Sequence, residues 1–128
     1  MNLGDTFVNA ESSRYPSHLW FIVSHPDGAG RVVIVNISSD AWQLDDLEKL
    51  GPDDHPWIKH ASFIRADLAM LSPVAAIEAA FKSRPPAATK EAPATSATIN
   101  KLQSALGRSV HTKREVKRAL ADQGLLPP

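Results

Sequence analysis

The chain has no cysteine. Disulfides, thiolate metal sites and a cysteine nucleophile are therefore excluded. No apolar run reaches membrane-spanning length. The first residues, Met1–Thr6, lack a basic region followed by a long apolar stretch, so no signal peptide is expected and the expected location is the cytoplasm. A Gly-rich phosphate-binding loop is missing, as is the Gly-x-Ser-x-Gly nucleophile elbow. No internal repeat is visible. Net charge is also absent from the total, because 14 Lys/Arg balance 14 Asp/Glu. That balance hides a split: residues 1–83 carry six basic against eleven acidic side chains, and residues 84–128 carry eight against three. An acidic body and a basic C-terminal part imply a segment that touches nucleic acid, an acidic partner, or the acidic body itself.

What is present centres on residues 18–39. Two apolar, β-branched and aromatic runs, Leu19–Val23 and Val32–Ile37, flank the loop His25-Pro26-Asp27-Gly28-Ala29-Gly30. This is a hairpin signal. Each run is apolar at nearly every position, which predicts central strands covered on both faces. Polar residues gather at the run ends: His18, Ser24, Asn36, Ser38 and Ser39. Upstream, residues 5–9 predict a short strand and 10–17 a polar loop. Downstream, residues 40–51 read either as a short helix or as an irregular stretch, the latter favoured with a strand near Trp42–Leu44, and Phe63–Leu68 predict a further strand. Ser72-Pro73 opens a helix, with Ser72 as N-cap and Pro73 as its first residue; Val74, Ile77, Ala80 and Phe81 form its buried stripe.

Residues 84–97 are rich in Ala, Pro and Thr and poor in large apolar side chains, and are expected to be a linker. Beyond it, Ile99, Leu102 and Leu106 mark one helix, and the capping box Thr112-Lys113-Arg114-Glu115 starts another. Both are too short to be stable alone and must dock on something. The expected division is 1–83 as the folded unit, 84–97 as linker and 98–128 as a basic helical tail.

His18, Ser38, Ser39, His55, Lys59 and His60, with Arg14, are the candidate chemical group. Histidine is the usual acid or base near neutral pH, and Lys or Arg can stabilise charge developing on a phosphorane. Metal-independent RNA cleavage needs a base for the 2′-hydroxyl, an acid for the leaving oxygen and a cation for the phosphate; all three are represented. Two other arrangements can be written. His55 and His60 with Asp53 or Asp54 have zinc-ligand chemistry, but Pro56 opposes the helix such a pair would need. Ser38, His18 and Asp54 make a nominal triad. In the tail, Arg114, Lys117 and Arg118 offer either a solvated face or a contact to RNA or an acidic partner.

The order of elements resembles the MazF/PemK-like toxins (with Kid and CcdB) of bacterial toxin–antitoxin systems. The residues that carry the resemblance are Gly4-Asp5-Thr6-Phe7-Val8, the strand Trp20–Ser24, the strand Val33–Ser39 and Ser62-Phe63-Ile64-Arg65-Ala66-Asp67, spanning about residues 3–83. The resemblance implies an α+β, mainly β fold: a small SH3-like β-barrel, a helix after its last strand, and here a C-terminal helical extension. It implies metal-independent cleavage of single-stranded RNA with no cofactor, a cognate antitoxin partner and a homodimer. The family's hydroxyl position falls on Ser38 or Ser39. Its Arg-Pro position falls near His18-Leu19, where this chain departs from the pattern. The roles expected are His18 as acid/base, Ser38 as a phosphate or 2′-hydroxyl contact, Arg14 and Lys59 as charge stabilisers, and His55 or His60 as the second acid/base. Ser39, Arg114, Lys117 and Arg118 would contact RNA or a partner. The rival expectation is a non-catalytic SH3-like binding module with the basic tail as a tether. A third is a tail that covers the acidic body in cis through charge alone.

Overall fold

The computed structural model describes residues 1–12, 16–39 and 47–126. The hairpin forms and the sheet is built on it. Strand β3 (Arg31–Ser38) is the longest, and every residue from Val32 to Ser38 is buried. Along one edge it pairs antiparallel with β2 (Leu19–Ile22), Trp20 lying opposite Asn36 and Ile22 opposite Ile34. Its other edge is shared. The first half pairs with β6 (Met70–Pro73) and the far end with β5 (Ser62–Ile64). The connecting turn is fixed by Asp27, whose Oδ1 accepts the Ala29 and Arg31 N–H groups, each at 2.9 Å. Gly30 completes it at φ +74°, a conformation that favours glycine.

The full order is β4–β5–β3–β2–β1–β7, with β4 at Lys49–Leu50, β1 at Thr6–Asn9, β7 at Ala88–Glu91 and β6 beside β3; all pairs are antiparallel. Among the described residues the end strands β4 and β7 do not pair. The expected closed barrel is therefore corrected to an open seven-stranded sheet. Strand β4, two residues long, offers too little ladder to close it.

Both sheet faces are covered, which explains the unbroken apolar runs. On one face Leu19, Phe21, Val23, Val33, Val35 and Ile37 meet Ile99, Leu102, Ala105 and Leu106 of α2 (Ser96–Arg108) and Val116 and Leu120 of α3 (Arg114–Asp122). On the other, Phe7, Ile22, Val32 and Ile34 meet Ile77 of α1 (Val74–Lys82), with Val74, Ala80 and Phe81 at its margin.

The expected linker is in part a strand, and the C-terminal helices find their docking surface in this chain. Residues 88–91 form β7, paired in register with all of β1. An edge strand needs backbone hydrogen bonds more than large side chains, so composition alone misread it. The two C-terminal helices dock by their apolar stripes, not by charge alone, although Lys101 bonds Asp54 at 2.7 Å and Arg108 pairs with Glu48. That arrangement excludes a loose tether.

Smaller differences follow local physics. Ser72 lies in β6 and Pro73 takes the N-cap position of α1. The strand expected over 63–68 ends at Ile64 and gives way to a 3-10 turn at Ala66–Leu68. Helix α3 begins one residue late for the capping box, leaving the buried Thr112 Oγ1 without a partner. The strand expected near Trp42–Leu44 lies outside the described residues. No described helix is long and apolar enough to cross a membrane.

Candidate active site

A cleft of about 860 Å³ opens at the end of the hairpin opposite its turn. Continuing the β2–β3 register from Trp20↔Asn36 puts His18 opposite Ser38. The segment 55–60 crosses this end of the sheet. As a result His18, Ser38, Ser39, His55, Lys59 and His60, scattered over more than forty positions of sequence, all line one cleft, together with Trp57, Arg65 and Glu91.

His18 is held through its backbone. Asn9 Oδ1 accepts the His18 N–H at 2.9 Å and the Trp20 Nε1–H at 3.1 Å, and Asn9 Nδ2 donates to Pro16 O at 3.1 Å. Its imidazole, half-buried at the cleft wall, makes no hydrogen bond among the described residues. Lys59 and His60 are exposed, and Lys59 Nζ donates to Pro56 O at 3.3 Å. Ser38 is buried at the strand end and Ser39 is exposed.

His55 is a different kind of residue. It is 2% exposed, and its ring meets Phe21 edge-on. Nδ1 accepts the Trp57 N–H at 3.0 Å, and Nε2 lies 2.7 Å from Ala92 O. These bonds assign the Nε2–H tautomer, with Nε2 donating to the carbonyl. Thr6 Oγ1 donates to the same carbonyl at 2.6 Å. With both nitrogens engaged, His55 fastens the cleft wall to the chain after β7, whereas an acid/base role would need one of these nitrogens free.

Asp54 is likewise taken up by the fold. Its Oδ2 accepts the Gly51 N–H and its Oδ1 the Lys101 ammonium. Burial raises its pKa, but the Gly51 bond and Lys101 outweigh that and hold the carboxyl below its ordinary range. It does not line the cleft, so the nominal triad does not assemble. Among the described residues no group of three His, Asp or Glu side chains is placed to hold a metal ion.

Arg14 lies outside the described residues. Arg114, Lys117 and Arg118 do not line the cleft. Helix α3 sits at the turn end of the hairpin, where Gln123 bonds both the N–H and the carbonyl of His25 at 2.8 Å. Arg118 lines a separate depression there with Asp27, Glu115 and Asp122. The length of β3, at ~3.3 Å per residue, puts about 20 Å between that end and the cleft.

Sequence reasoning missed Arg65. It follows β5, its N–H donates to Asn36 O at 2.9 Å, and its guanidinium holds Asp67 through Nε–H···Oδ1 at 2.9 Å and a second N–H···Oδ2 bond at 2.7 Å. A basic residue in an otherwise apolar strand, two positions before an aspartate, was the available signal. The Arg65 hydrogen bond, opposed by burial and aided by the guanidinium charge, holds the Asp67 carboxyl below its usual value of 3.8. A depressed folded-state pKa contributes stability that is full above the unfolded value and is lost as pH falls through the folded one. Asp67→Asn is therefore expected to lower the unfolding free energy at neutral pH by on the order of 1 kcal/mol, read as a lower urea midpoint. The difference from wild type should vanish well below pH 4. A difference that persists in acid would mean that Asp67 acts through something other than its charge.

The molecule is thus an α+β protein with an open antiparallel sheet, three helices and a polar cleft across the ends of its central strands. Its fold is similar to that of a chain in the crystal structure of MazE–MazF (form III) from Deinococcus radiodurans, with a TM-score of 0.51, 12% identity, and coverage of 88% of this chain and 96% of that one. Coverage of that extent runs well past residue 83, so the likeness takes in part of the C-terminal segment as well as the sheet. It is consistent with the expected MazF-like fold, without the closed barrel. No family model matches the sequence, and no curated protein does.

Proposed function

We propose that this protein is a toxin-like, metal-independent endoribonuclease that cuts single-stranded RNA. One observation carries the reading: His18, His60, Ser38, Ser39, Lys59 and Arg65 converge on one cleft at the end of the central hairpin. The likeness to a chain of a MazE–MazF structure supports it at the level of fold. By that likeness the proposal includes a cognate antitoxin-like partner and a homodimer.

In the proposed reaction the 2′-oxygen of RNA attacks the adjacent phosphorus and the bond to the 5′-oxygen breaks. His18 takes the 2′-hydroxyl proton and His60 gives one to the leaving 5′-oxygen, or the two exchange these roles. The products are a 2′,3′-cyclic phosphate and a 5′-hydroxyl. Lys59 and Arg65 stabilise the charge that builds on the phosphorane oxygens. Ser38 and Ser39 contact the phosphate or the ribose. Arg65, oriented by Asp67, supplies the fixed guanidinium that the sequence does not offer at the His18-Leu19 position.

Incubating the protein with end-labelled single-stranded RNA in excess chelator tests this. Cleavage with cyclic phosphate ends is expected, and a single 2′-deoxy substitution at the cut site should abolish it. RNA that stays intact, together with unimpaired growth on expression, would overturn the reading.

A further inference from the structure

Trp57 is presented to solvent by a loop that is pinned on both sides of it. His55, two residues before, is buried and bonded at both ring nitrogens, and one of those bonds is to the Trp57 N–H itself. Ile58, one residue after, is 3% exposed in the main core. Its N–H donates to His55 O at 3.1 Å, closing a tight turn around the tryptophan.

Between these anchors the Trp57 residue is 36% exposed and, among the described residues, packs in neither core cluster and meets no other aromatic ring. Single exposed apolar residues are common and need no explanation. A large indole fixed at its backbone and lining a cleft with Lys59, His60 and Arg65 is a different case. A rigid aromatic face beside cations is the arrangement that holds unpaired bases: the base stacks on the ring while the phosphates meet the positive charge. Duplex RNA offers no such base face.

We propose that Trp57 is the stacking platform for one unpaired nucleobase of the substrate, with His55 as the positioning residue that holds it. The inference rests on the nuclease reading of the same cleft and adds to it the contact that selects single strands.

The probe is a fluorescently labelled single-stranded oligodeoxynucleotide pool of random sequence, which lacks the attacking 2′-hydroxyl, beside an abasic oligomer of equal length. Wild type is expected to bind the base-bearing strand more tightly than the abasic one, and its tryptophan emission should be quenched on binding. Trp57→Ala should weaken binding of the base-bearing strand about 10- to 100-fold and remove the preference over the abasic strand. Trp57→Phe, which keeps an aromatic face and the backbone bond, should retain affinity within about threefold and lose the quench. A quench that survives in Trp57→Phe, or a folded Trp57→Ala that binds both strands as wild type does, overturns the platform and leaves the nuclease reading standing. Wild type that binds neither strand, while still cleaving RNA, also overturns the platform alone; failure to bind and to cleave overturns both.

Discussion

His18→Ala should lower the rate of RNA cleavage by about 10²- to 10⁴-fold, the range usual for loss of a positioned acid or base. Three features single His18 out. It lies where β2 begins, opposite the last residue of β3, so the scaffold beneath it is the most deeply buried part of the sheet. Its backbone N–H is held by Asn9, while its ring carries no hydrogen bond among the described residues and is left for a ligand. It also occupies the place where the resemblance expects an arginine, so the proposed chemistry turns on it. His18 is half-buried and its ring makes no hydrogen bond among the described residues, so the change in stability should be small, about 1 kcal/mol or less. His60→Ala should produce a loss of similar kind. Because acid and base act in one displacement, the double variant should fall little below the worse single one. Multiplicative losses would mean that the two histidines serve separate steps. An unchanged rate in His18→Ala would remove it from the chemistry and leave Lys59, His60 and Arg65 to account for any cleavage.

The hairpin and the two strand ends were legible because β3 writes burial on both faces directly into Val32–Ile37, and polar residues at its limits then mark the sheet's rim. The convergence of residues 55–60 on His18 was not legible. It depends on a chain crossing fixed by Asp54 and His55, and no local pattern reports their buried hydrogen bonds. The same bonds explain why His55 looked chemical: a histidine beside aspartates has one composition whether its ring faces substrate or a carbonyl. Arg65 was hidden for the opposite reason. It sits in strand-like sequence, and its role follows from the 3-10 turn that brings Asp67 back to it. The C-terminal segment was misjudged because β7 pairs through backbone, and backbone has no composition. Its helices carried a clear apolar stripe, and that stripe, not the net charge, decided where they went.

Leu102→Ala should cost about 2–5 kcal/mol, a large share of the ~5–15 kcal/mol that holds a typical domain together. Leu102 is fully buried and belongs to the same cluster as Phe21, Val33 and Val35, so its removal leaves a cavity against the central hairpin. Helix and sheet should therefore melt together. Far-ultraviolet dichroism and amide exchange in β2 and β3 should report one transition, moved to the same lower urea concentration. Val110→Ala, at a position 81% exposed, should leave that transition in place. A helical appendage merely attached to an independent sheet would behave otherwise: helix signal would be lost first, and exchange in β3 would stay protected. The shared cluster excludes that outcome, because α2 and α3 supply the covering that Val33, Val35 and Ile37 need to leave water. The cleft inherits the consequence. His18 and Ser38 stand at the ends of the two strands that those helices cover, so Leu102→Ala should also lower any cleavage activity at temperatures where wild type is fully folded, in proportion to the fraction unfolded.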